Sequence, residues 1–131
     1  MPSSARLYAG LGSGVVAVGG LGYIGLVDPH QPGSLYPGCP FKMLTGLNCP
    51  ACGGLRMTHD LLHGDLAAAV ADNVFLLVGL PMLALWWVWR RRIERPAFTP
   101  AAMVAVAVAA LAWTVLRNLP GFPLVPTVFA P

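Results

Sequence analysis

Charge is scarce in this sequence. Of 131 residues, eight are Lys or Arg and five are Asp or Glu, so only 10% are charged. The net charge of +3 is no nucleic-acid signature, because four of the basic residues, Arg90, Arg91, Arg92 and Arg95, cluster beside an apolar run. Such a cluster marks a membrane flank rather than a DNA patch. Lysine occurs once, at Lys42, and cysteine is confined to one window holding Cys39, Cys49 and Cys52. Internal repeats, low-complexity tracts, nucleophilic triads, paired catalytic carboxylates and phosphate loops are all missing. No ionisable residue falls in the middle of an apolar run, which speaks against a proton relay or an ion pathway.

What the chain has instead is oil. Hydrophobic residues make up 56% and the mean hydropathy is +0.68. A soluble single domain of this length has too little interior to hide that much apolar surface, so lipid is its natural solvent. Residues 7–27, from Leu7 to Val27, carry no charge and as a helix span about 30 Å, one bilayer core. The run is glycine-rich, and Ala9, Ser13 and Ala17 recur at i+4 beside Gly10 and Gly14. In lipid, small residues at that spacing make a packing seam for another helix. A cleaved signal peptide is the rival, but the run is too long and lacks a convincing small-x-small cleavage site.

Asp28-Pro29 stops the first helix, and residues 28–64 form a cysteine loop ending in a short interfacial helix. Pro29, Gly33, Pro37 and Gly38 make its first part irregular. Pro50 suits the first position of a short helix capped near Asn48 or Cys49. From Leu55 to His63, Arg56, His59, Asp60 and His63 form one polar stripe, predicting a helix in the headgroup plane with solvated histidines. Gly64 ends it and Asp65 caps the next. The second span covers 66–89, with Asp72 near its outer rim, a possible kink at Pro81, and an interfacial anchor of Trp86, Trp87, Trp89, Arg90, Arg91 and Arg92. Thr99-Pro100 begins a third span, 100–119, closed by Arg117. Residues 120–131 read as an extended, proline-rich, apolar tail. The fold class is therefore an all-α integral membrane protein, one domain with three transmembrane helices.

The arginine cluster and Arg6 point inward, which places the N-terminus and the Arg90–Arg95 loop in the cytoplasm, and the cysteine loop and C-terminus outside. Outside is oxidising, where cysteines tend to pair. Cys39–Cys49, Cys39–Cys52 and Cys49–Cys52 are all open, and three cysteines leave one over. The expected bridge is a structural staple, Cys39 with Cys49 ahead of Cys39 with Cys52. The first closes a loop of about ten residues, a contribution of roughly 2–3 kcal/mol. Two other chemistries compete. Cys49-Pro50-Ala51-Cys52 is a C-x-x-C, the pattern of thiol redox sites, though no thioredoxin-like βαβ pattern surrounds it. Cys39, Cys49 and Cys52 with His59 or His63 make a possible four-ligand zinc set.

Cys39-Pro40-Phe41, Thr45-Gly46-Leu47, Cys49-Pro50-x-Cys52-Gly53, Arg56, Leu62-x-Gly64-Asp65-Leu66 and Asn73 together resemble the small bacterial membrane proteins of the domain-of-unknown-function family numbered 2752. The resemblance spans roughly Gly38 to Val88 and makes Cys39, Cys49, Cys52, Gly53 and Arg56 its signature. It implies two spans flanking an outward cysteine loop in a bacterial plasma membrane, and no established activity. Leu55 stands where the family commonly has threonine, and His59 and His63 stand where it commonly has other residues. The expectation for function is a non-enzymatic accessory or assembly subunit of a larger membrane complex, for example a respiratory or export assembly. It would contact lipid and that complex, without nucleic acid, small-molecule substrate or cofactor. The alternative is an outer-face thiol-redox or zinc protein.

Overall fold

The computed structural model describes residues 2–31 and 33–124. Among them all regular structure is helical: α1 (Pro2–Leu26), α2 (Pro40–Thr45), α3 (Gly54–Leu62), α4 (Leu66–Arg92) and α5 (Pro100–Arg117). Three helices are long and apolar enough to cross a membrane, over Ser4–Leu26, Leu66–Arg92 and Pro100–Arg117. The chain is thus an all-α membrane protein in contact with lipid, with short helices between its first and second spans.

Its interior is the reverse of a water-soluble domain. Large apolar side chains such as Val15, Leu85 and Leu111 are exposed along the spans. Among the described residues the buried polar or charged ones are Asp60, Asp72, Asn73 and Arg117, against Met57, Ala69 and Trp113 in the apolar core. Lipid solvates the apolar surface, so packing is needed only where polar groups must be satisfied away from water. That place is the end of the bundle where α1 and α5 finish and α4 begins.

Local chemistry sets the ends. Asp65 accepts from Ala68 N–H (2.9 Å) to cap α4, and Thr99 accepts from Ala102 N–H (3.2 Å) to cap α5. At the opposite end the turn between α4 and α5 is held by its belt: Arg90 donates to Pro96 O (2.7 and 2.9 Å), and the Arg91 guanidinium lies 4.0 Å from the Trp87 ring centre. Trp113 of α5 stacks on Phe75 of α4 at 5.9 Å, and Phe122 meets its edge.

Several expectations need correcting. The break in α4 lies at Asn73 (φ −163°, ψ 80°), not at Pro81, where the helix continues. A proline alone is tolerated in a lipid-embedded helix, whereas the Asn73 side chain draws that backbone aside. Pro50 does not open a helix; α3 starts at Gly54 after a turn through Gly53 (φ 85°). The six-residue α2 was not anticipated; Pro40 occupies its first position and Gly46 (φ 73°) ends it. The tail begins with a turn at Gly121 (φ 81°) rather than as an extended strip, and residues 125–131 lie outside the described residues.

Candidate functional site

The polar stripe of α3 faces protein, not headgroups. Asp60 is 7% exposed and Met57 is buried, while Leu55, Leu61 and Leu62 are 41–50% exposed. α3 packs on α4 and on the end of α1, and leucines are the cheaper side to leave in lipid. A Cβ on Gly54 would come within 2.9 Å of Leu76 Cδ1, so glycine lets α3 approach α4 here. His59 is correspondingly not solvated: its Nδ1–H donates to Ile24 O at 2.7 Å. His63 remains exposed, with Nδ1–H donating to His59 O at 2.8 Å.

Three side chains from the spans hold the cysteine loop. Asn73 Nδ2 donates to Pro50 O and Cys52 O, both at 3.0 Å, while its Oδ1 accepts from Leu76 N–H at 3.0 Å. In an unbroken helix that N–H would go to Asp72 O. Arg117, 1% exposed, uses the freed Asp72 carbonyl (3.1 Å) and adds Cys49 O (3.1 Å) and Cys52 O (2.8 Å). Asn118 and Asn48 exchange two bonds at 2.9 Å, Asn48 N–H to Asn118 Oδ1 and Asn118 Nδ2 to Asn48 O.

The loop so held gathers the three thiols. Cys49 Sγ lies 3.4 Å from Cys39 Sγ and 2.9 Å from Cys52 Sγ, and all three sulfurs fall within 4.8 Å of one another. The cysteines are free and half-buried, closer than van der Waals neighbours need be yet beyond the ~2.05 Å of a bond. They line a cleft of about 370 Å³ with Lys42, Asn48 and Arg56. The thiols differ. The Lys42 N–H at the start of α2 holds Cys39 below the ordinary thiol range, whereas burial, then the bond to Cys49, pushes Cys52 up to about 12. Arg56 lies across the same cleft, its Nε 3.5 Å from the carbonyl of Pro29, another lining residue. Among the described residues His59 and His63 do not join the thiols, and the three sulfurs group by themselves.

The sequence reading missed a second cluster altogether. His30 Nδ1 is 2.8 Å from Asp28 Oδ1, and its Nε2 lies 3.1 Å from Asp72 Oδ2 and 3.7 Å from Asp60 Oδ1. Three segments meet here, from the end of α1, from α3 and from α4. The His30 N–H holds the Asp28 carboxyl low, while burial pushes Asp60 up. Burial alone would lower His30, but the Asp28 bond and the Asp60 and Asp72 charges outweigh it and raise it. Asp72 and Arg117 carried the available signal: each is a lone charge at the rim of an apolar span, a costly placement without partners.

One family matches the chain, over residues 39–87, and its description is a protein of unknown function (DUF2752). No curated protein and no solved structure matches it.

Proposed function

For a chain whose residues 39–87 match the family of unknown function DUF2752, we propose a non-enzymatic accessory or assembly role within a larger membrane assembly. The observation that carries this is α1. Its span Ser4–Leu26 is apolar yet unburied, and its contacts with α3 and the following loop lie near its end, at Tyr23, Ile24 and Gly25. A Cβ built on Gly10, Gly12, Gly14, Gly19 or Gly20 would meet nothing within 4 Å. Glycine weakens a helix and contributes nothing against lipid; its use in a span is close approach to another helix. The face is therefore read as a docking seam for a spanning helix of the assembly.

The orientation proposed puts the N-terminus and the Arg90–Arg95 turn on the cytoplasmic side of a bacterial plasma membrane, with the cysteine loop and C-terminus outside, by the inside preference of arginine. In that compartment Cys49, within reach of both other thiols, would close a staple, first with Cys39. Tagged protein purified in mild detergent should bring a stoichiometric membrane partner, lost in Gly10→Leu/Gly14→Leu while insertion persists. Purification alone, or with the partner unaffected by the double substitution, would overturn the reading.

A second reading is favoured by one observation, the mutual reach of all three sulfurs. A staple needs only two, whereas a thiophilic ion such as zinc would use three thiolates. Metal analysis of protein purified without chelator separates the two.

A further inference from the structure

We propose that His30, Asp60 and Asp72 form a binding site for a first-row divalent cation, distinct from the thiols and independent of the accessory role. His30 Nδ1 sits 2.8 Å from Asp28 Oδ1, a carboxylate that can only accept, so Nδ1 carries a hydrogen and Nε2 is the nitrogen that can ligate once a cation displaces its proton. Nε2 faces Asp72 Oδ2 at 3.1 Å and Asp60 Oδ1 at 3.7 Å. Three electron-rich atoms converge, and something positive must sit among them. A cation with bonds of about 2.1 Å to nitrogen and oxygen holds its ligand atoms about 3.0–3.4 Å apart, close to the spacing here.

A second observation points the same way. Asp60 Oδ2 is buried and has no hydrogen-bond partner, and its residue is 7% exposed. Buried carboxylate oxygens are rarely left so, because the lost hydration is not replaced. A cation bound by Asp60 through both oxygens satisfies it. The donor set names the class: one imidazole with two carboxylates suits zinc, manganese, iron or cobalt, while calcium asks for six or more oxygens. Asp28 is the positioning residue, orienting the ring through Nδ1–H as an outer carboxylate does behind a metal-bound histidine. Because His30 follows α1 while Asp60 and Asp72 lie on α3 and α4, the bound ion pins the end of α1 to the other two helices.

Cobalt(II) tests this with the full chain in detergent micelles, its thiols first alkylated. We expect about one cobalt per chain, with the weak visible absorption of nitrogen and oxygen ligands and no near-ultraviolet thiolate band. Thermal melting should move up on loading. Asp60→Asn and His30→Gln should abolish binding, and Asp28→Asn should weaken it roughly 10- to 100-fold. No cobalt uptake by the alkylated, helical wild-type chain would overturn the site and leave a proton on His30 Nε2 as the bridging charge. Uptake undiminished in a helical Asp60→Asn would overturn it equally. Should the variants misfold, the uptake and spectrum of the wild-type chain still decide.

Discussion

Replacing Asn73 with alanine should release the cysteine loop without removing any residue of it. The side chain is 0% exposed and makes three hydrogen bonds at 3.0 Å, two to the loop carbonyls of Pro50 and Cys52 and one from Leu76 N–H. Each such bond contributes about 0.5–1.5 kcal/mol net, and a buried group left unpaired costs about 1–3 kcal/mol. Arg117 still holds the Cys52 carbonyl at 2.8 Å, so only part of the unpaired cost applies, and the total should be about 2–4 kcal/mol. At about 1.4 kcal/mol per tenfold, the loop should stand open roughly 30 to 700 times more often. Cys52 reports it, since its thiol is half-buried and reacts with an alkylating reagent chiefly when the loop opens. The assay is the rate of Cys52 alkylation in reduced, micelle-bound protein. Asn73→Asp provides the contrast: it keeps an acceptor for Leu76 N–H but turns an oxygen toward the two carbonyls, so Cys52 should again react fast while helix content holds. A Cys52 rate within threefold of wild type in Asn73→Ala would mean that Asn73 does not hold the loop closed.

Gly53→Ala should lower thermal stability by about 1–2 kcal/mol, because φ is 85° and a Cβ is strained there; Gly53→Asn should recover part of this, and equal melting of all three would contradict it. Cys39→Ser should weaken the outer loop by a few kcal/mol at most with all spans still inserted, and non-reducing peptide mapping of the wild type should show one bridge involving Cys39. Near one zinc per chain, lost in Cys39→Ser, would favour the metal reading instead. A membrane-impermeant thiol reagent, applied to intact cells after reduction, should label the loop; labelling only after lysis would reverse the proposed orientation.

The spans were legible because lipid imposes one simple pattern, a long apolar run closed by charge, and the limits read at Leu66 and Pro100 match the helices. So were the caps Asp65 and Thr99, whose effect is local. The head of the bundle was not, because its structure comes from long-range polar contacts that no periodicity encodes. Asn73, part of the motif, owes its place to carbonyls more than twenty residues earlier in the chain. Arg117, read as the stop of a helix, does end α5 and is also the clamp on Cys49, Cys52 and Asp72, which its position alone did not show. The stripe on α3 was identified correctly and aimed wrongly, since in lipid the polar face of a helix turns toward protein when partners such as His30 and Asp72 are there. His30 itself stood in a stretch that read as irregular loop.

Photo-crosslinking in intact membranes decides whether α1 docks against another spanning helix. A photo-reactive side chain at Ser13 lies on the small-residue seam; one at Val15 lies on the far side of the same helix, 73% exposed. Docking through the seam gives a discrete protein adduct from position 13 and only lipid adducts from position 15. Lipid adducts alone from both positions, or the same adduct from both, would contradict it.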